Sequence, residues 1–315
     1  MQNDSRIFVA GHRGLVGAAI TRNLRAAGYR NLIERSRSDL DLTRQSEVEA
    51  FFNTEKPEYV FLAAAKVGGI HANDTQRAEF IYQNMMIAAN VIDASWKAGV
   101  EKLLFLGSSC IYPRMSPQPI SETALLSGAL EPTNEPYSIA KIAGLKLCEN
   151  YRRQYGFDAI SLMPTNLYGP GDNFDLEASH VIPALMRKAH EAKLTSAPSM
   201  IVWGTGAPRR EFLHVDDLAD AAVFLMHNYS EALTINVGVG HDVTISELVE
   251  IVRDVVGFEG TVNFDTSKPD GTPRKMLEVG RLRALGWSPK IALRDGLAET
   301  YRWFLNSQGF LRSVD

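Results

Sequence analysis

Through its first half the chain alternates short unbroken apolar runs with longer segments whose apolar residues recur every three or four positions. The runs are RIFVAG, NLIER, YVFLAAA, KLLFLGSS and AISLMPTNL. Between them the periodicity predicts helices over Leu15 to Ala27, near Glu47, over Phe80 to Lys97 and over Tyr137 to Tyr155. Unbroken apolar strands belong in a sheet buried on both faces, and strand–helix alternation makes that sheet parallel. The pattern therefore predicts an α/β fold with a Rossmann-type, doubly wound parallel sheet.

After about Gly171 the texture changes, and short runs such as MIVWG, TINVG and TVNFD are interspersed with Pro, Gly and helical segments. One of those helices starts at Thr244-Ile-Ser-Glu247, the spacing of a capping box. We expect residues 1–170 to form the dinucleotide-binding domain, with later segments returning to it. Residues 171–315 are expected to form mainly a smaller α/β substrate-binding lobe.

Composition narrows the classes. The formal net charge of −4 offers no basic field for nucleic acid or an anionic membrane, so an anionic ligand has to be held by local groups. No apolar run reaches the roughly 20 residues that a membrane span requires. With two cysteines, Cys110 and Cys148, no disulfide framework is indicated, and a cytoplasmic location is expected.

Gly11-His12-Arg13-Gly14-Leu15-Val16-Gly17 stands between the first strand and the first helix, where a dinucleotide pyrophosphate rests. Glycines there allow a tight turn and close approach to phosphate, and the helix start offers unpaired N–H groups. The second strand ends in Glu34-Arg35-Ser-Arg37-Ser-Asp39. Arg35, Arg37 and Arg13 suit the 2′-phosphate of NADP, whereas Glu34 or Asp39 would suit the free ribose of NAD. NADP(H) is the expected cofactor.

Tyr137-Ser-Ile-Ala-Lys141 puts a phenol and an ammonium on one helical face. A phenol with a pKa near 10 handles protons poorly at neutral pH unless its anion is stabilised, which a neighbouring ammonium does. With GxxGxxG, SSCIYP, YSIAK and PTNLYGPGDNF, the chain resembles the extended short-chain dehydrogenase/reductases that modify nucleotide sugars. The resemblance implies Ser108, Tyr137 and Lys141 as the reductase trio, with Lys141 also on the nicotinamide ribose. It further implies cofactor contacts from Gly107, Pro164, Asn166, Leu167 and His180.

A thiol two residues after Ser108 is more than a reductase needs. LAAAKVGGI, FIYQNMM, LGSSCIYP, LEPTNEPYSIAKIAG, SHVIPAL, REFLHVDD and KPDGTPRK resemble a narrower group within that family. Its members invert GDP-4-keto-6-deoxy-D-mannose at C3 and C5 and then reduce C4 with NADPH. Protons α to the ketone can leave because an oxyanion at C4 can be stabilised. The resemblance implies Cys110 as the base and His180 as the acid; read without it, Cys110 is equally a small buried hydrophobe. It also implies Lys188, Trp203, Arg210 and Asp270 as substrate contacts, with lysine at 188 where better-known members have arginine. Relatives pair through the helices near Phe80 and Tyr137, so a homodimer is expected. His214, Asp216 and Asp217 read as a helix start, and no metal is expected. The alternatives are another sugar-nucleotide epimerase or reductase, or a protein that senses NADP without turnover.

Overall fold

The computed structural model describes residues 1–175, 179–268 and 270–307. Pro269, of the KPDGTPRK motif, lies outside the described residues. The first half runs β1 (Ile7–Ala10), α1 (Leu15–Ala26), β2 (Leu32–Ile33), α2 (Gln45–Glu55), β3 (Tyr59–Leu62), α3 (Ile70–Thr75) and α4 (Arg77–Lys97). It continues through β4 (Lys102–Leu106), α5 (Glu135–Tyr155) and β5 (Ala159–Pro164). The second half follows as β6 (Asn166–Tyr168), α6 (Val181–Leu194), β7 (Ser199–Trp203), β8 (Arg209–Arg210), β9 (Phe212–His214) and α7 (Val215–Asn228). After these come β10 (Ile235–Val237), β11 (Val243–Thr244), α8 (Ile245–Val256), β12 (Thr261–Asp265), β13 (Arg274–Lys275), α9 (Gly280–Ala284) and α10 (Leu293–Asn306).

Six strands form the central sheet in the order β10-β5-β4-β3-β1-β2, and every pairing in it is parallel. Its strands read as continuous apolar runs because alternate residues enter different cores. Phe8, Leu103 and Phe105 face the core that includes α2, α4 and α5, while Ile7, Val9, Leu104 and Leu106 face the one that includes α1 and α7. On that second face α7 presents Ala219, Ala221 and Ala222, all fully buried. Strand order reverses between β1 and β3, which opens a crevice at the carboxyl ends of the strands, the place where such sheets bind ligands.

TINVG is one of the later segments that return to the first domain. As β10 it joins the edge of the central sheet beside β5 rather than the smaller lobe, and its three residues are buried there. MIVWG and TVNFD do pair with each other, as β7 and β12. Together with α6, α8 and α10 they enclose a third core containing Phe174, Leu185, Met200, Val249 and Phe304. The capping box at α8 is complete: Thr244 Oγ1 accepts from Glu247 N, and the Glu247 carboxylate accepts from Thr244 N. Such a cap contributes about 1 kcal/mol.

One buried carboxylate joins the two halves. Glu211, between β8 and β9, is fully buried and accepts N–H groups from Val239 and Gly240 after β10 and from Leu277 after β13. Desolvation raises its pKa, opposed by those backbone donors. Among the described residues no helix is long and apolar enough to cross a membrane.

Candidate active site

The glycine loop turns at the mouth of the crevice. Gly11 has φ +84°, and a Cβ there would sit 2.8 Å from the backbone of Ala64 after β3. A Cβ on Gly17 would lie 2.1 Å from Gly11 O, so the helix start can fold onto the loop only as glycine. Gly14 N donates to Gly11 O, and no side chain caps α1, which leaves the first-turn N–H groups turned toward the crevice. His12 Nδ1 is buried with no hydrogen-bond partner. These donors and that orphaned nitrogen fit a dinucleotide diphosphate.

The arginines separate. Arg35 pairs with Glu55 at the end of α2 and lies over Phe51, so it is committed to packing. Glu34 pairs with Arg25, and Asp39 accepts from Ser36, with Arg13 and Arg35 close enough to help hold its carboxyl below the usual value. Arg37 makes its electrostatic contact with Asp41.

β4 delivers the catalytic candidates. A Cβ on Gly107 would meet the flexible end of Met163 of β5, so a larger residue there would have to displace that side chain. The chain then turns through a single 3-10 turn at Ser109–Ile111, capped by Ser108, whose Oγ accepts from Cys110 N at 3.3 Å. Tyr112 pins the turn from below, donating at 2.6 Å to Asn236 Oδ1 on β10. Ser108 keeps its own hydroxyl proton for another acceptor.

Tyr137 and Lys141 enter from α5. Tyr137 bonds to Ser108, and its pKa is raised, first by burial and then by the nearby Cys110. Lys141 is buried, donates to Leu106 O at 2.7 Å, and lies over the rings of Phe105 and Tyr137. Burial lowers its pKa to about 8. The sequence reading has the ammonium drawing the phenol down. Here desolvation prevails, because Lys141 turns its charge toward a backbone carbonyl, and Tyr137 is a neutral acid.

Cys110 is half-buried and faces two donors. Asn134 Nδ2 is 3.4 Å from its sulfur and Lys275 Nζ is 3.5 Å away. Cys148, by contrast, is buried, and desolvation pushes its thiol up to about 12, the behaviour of a packing residue. His180 opens to solvent at the start of α6 yet is ringed by protein. That crowding, and then the Lys275 charge, hold its imidazole below the ordinary value. Pairing of β13 with β8 puts Lys275 beside Arg210. Neither Asn134 nor Lys275 was singled out from the sequence, although both lie inside quoted motifs.

The remaining expected residues run from the end of β5 into the smaller lobe. Pro164 ends β5 opposite Val237, and Asn166 donates to Glu211 O at 2.8 Å, with Leu167 next to it in β6. Arg210 is half-buried, and Arg209 is tied to Asp242 instead of standing as a solvated turn. Exposed Trp203 is flanked by Lys188 at 5.0 Å and Lys268 at 5.4 Å from its ring centre. Both Asp270 carboxylate oxygens accept from Thr205, which shapes the loop beside Trp203.

His214, Asp216 and Glu299 lie close enough to suggest a metal. His214 caps α7 by accepting Asp216 N at Nδ1. That places the ring proton of the neutral imidazole on Nε2, the only nitrogen left to face Glu299, so the donor set opposes a cation.

Residues 7–238 match the NAD dependent epimerase/dehydratase family. GDP-L-fucose synthase 1 of Arabidopsis thaliana is 62% identical over 303 residues, covering 96% of this chain and 94% of that protein. A GDP-6-OMe-4-keto-L-xylo-heptose reductase from C. jejuni superposes with a TM-score of 0.93 at 41% identity, covering 98% of this chain and 99% of the other. A GDP-L-fucose synthetase from Naegleria fowleri, solved with NADP bound, gives a TM-score of 0.92 at 28% identity, covering 99% and 98%. With its glycine loop at the switch point and its serine, tyrosine and lysine beyond the carboxyl end of β4, the chain belongs to the NAD dependent epimerase/dehydratase family and, within it, to the GDP-L-fucose synthases.

Proposed function

We propose that the chain converts GDP-4-keto-6-deoxy-D-mannose to GDP-L-fucose, inverting C3 and C5 and then reducing C4. The observation that carries this reading is the Cys110 sulfur, faced by Asn134 and Lys275, one turn from Ser108 and close enough to Tyr137 to act on its ionisation. A plain reductase has no use for that thiol.

The chemistry follows from the neighbours. Cys110, as thiolate, takes a proton α to the ketone, and the negative charge moves to the C4 oxygen. Ser108 and Tyr137 donate hydrogen bonds to that oxygen. His180 returns a proton to the opposite face of the carbon, and the configuration inverts. NADPH, when bound, supplies the hydride for C4. Tyr137, kept neutral by its surroundings, gives its proton to the C4 oxygen as it becomes a hydroxyl, and Lys141 stabilises the phenolate left behind.

The glycine loop, with Arg13 and Arg37 for the 2′-phosphate, would hold the cofactor. Lys188 and Arg210 would hold the substrate diphosphate, with Trp203 and Asp270 toward its nucleoside. A homodimer would cover the exposed Tyr82 and Met85 of α4 and Ile139 of α5. The work would take place in the cytoplasm.

The test is deuterium incorporation at C3 and C5 in D₂O without NADPH. Wild type should exchange both positions, and Cys110→Ser should nearly stop while still reducing an inverted ketone. NADPH oxidation without exchange at either carbon would make the chain a plain reductase and sink the reading.

A further inference from the structure

Asn134 stands at the start of α5, three residues before Tyr137, and makes no side-chain bond to its own helix backbone. An asparagine at a helix start ordinarily turns its oxygen onto the N–H groups of the first turn. This one faces elsewhere. Its Nδ2 is 3.4 Å from Cys110 Sγ, and its Oδ1 is 3.3 Å from Ser138 Oγ. The Ser138 hydroxyl is also 2.9 Å from the Cys110 carbonyl and 3.1 Å from the Asn134 carbonyl. Cys110 is thus held at both its backbone and its sulfur by one ring of side chains rooted in α5. From the other side Lys275 Nζ approaches the sulfur to 3.5 Å.

Two N–H donors on one sulfur fix where its remaining lone pairs point, and so the direction from which a proton can reach it. We propose that Asn134 is a positioning residue for Cys110, aiming the sulfur into the cleft and holding it ready to take the substrate's α-proton. The proposal rests on the reading of Cys110 as the base, and it assigns Asn134 no contact with the reacting atoms.

Asn134→Asp tests it with little risk to folding. Aspartate starts helices as well as asparagine does and keeps an acceptor for Ser138, but it turns a carboxylate oxygen toward the sulfur. Three rates are compared with wild type in the full chain: deuterium exchange at C3 and C5, NADPH oxidation by a ketone already inverted, and alkylation of Cys110 by iodoacetamide. Asn134→Asp should lose roughly 100-fold in exchange, comparable to losing a general base's contribution, and should alkylate more slowly. Reduction should stay within about threefold, and Asn134→Ala should fall between the two. If wild type exchanges and Asn134→Asp matches it, or if exchange and reduction fall together, the positioning role is overturned. A wild type that exchanges nothing overturns the base assignment itself and leaves Asn134 nothing to position.

Discussion

Lys275 Nζ lies 3.5 Å from Cys110 Sγ, and the same ammonium helps hold the His180 imidazole below its ordinary value. The residues read as base and acid therefore share one neighbouring cation, which opposes protonation of the imidazole. Replacing it with Lys275→Met should raise the His180 titration midpoint, followed by NMR at its ring Cε1–H, and should slow deuterium exchange. An unmoved His180 titration would mean that burial alone sets it.

Lys141 has a pKa lowered to about 8 by burial. Its ammonium persists below that value and is lost as pH rises through it. We expect kcat/KM for reduction of an inverted ketone to fall above pH 8, by up to about tenfold per unit. In Lys141→Arg, whose charge persists beyond pH 12, that limb should vanish even as the overall rate drops. A wild-type profile flat to pH 9.5 would contradict this.

Asp172, in the GPGDNF stretch, has an unpartnered buried Oδ2, and burial raises its carboxyl to about 7. A raised folded-state value favours the protonated form, so its contribution to stability is fully present below pH 3.8 and is lost as pH rises through about 7. An amide in its place would mimic the neutral acid. Asp172→Asn should therefore be more stable than wild type at pH 8, by on the order of 1–3 kcal/mol, with the advantage shrinking toward pH 5. Thermal unfolding at the two pH values measures it, and a constant difference would rule the explanation out.

Gly17→Ala places a methyl 2.1 Å from Gly11 O, against backbone that has no rotamer to yield. We expect a loss of about 1–3 kcal/mol in stability and a larger proportional loss of NADPH affinity, because the loop must open where phosphate has to approach. Calorimetric titration with NADPH alongside denaturant unfolding separates the two. Unchanged cofactor affinity would exclude the glycine loop as the diphosphate site.

Much of the fold was legible because its signals are local. Continuous apolar strands, the helix over Leu15 to Ala26 and the capping box at Thr244 each follow from neighbours within a few positions. Tyr137 and Lys141 share a helical face and were readable for the same reason. TINVG was not, since three buried residues say nothing about which sheet they enter, and β10 finds its place only beside β5. Arg35 looked free for phosphate because its partner Glu55 lies 20 positions away. Lys275 meets Cys110 across 165 positions, a contact that depends on β13 pairing with β8.

The carboxylate of Glu211 has a further consequence. It sits next to Arg210, it accepts the N–H of Leu277 two residues after Lys275, and its other oxygen holds the turn after β10. What holds it is a set of backbone N–H donors from both halves of the chain, and such bonds give added salt little to screen. Arg210 and Lys275, register partners across β8 and β13, are both indexed to the central sheet through this one seam. A substitution as slight as an amide for the acid would set one donor against another and let the two sheets slip out of register. On the proposed chemistry, such a variant would stay folded and lose its aim in proton transfer.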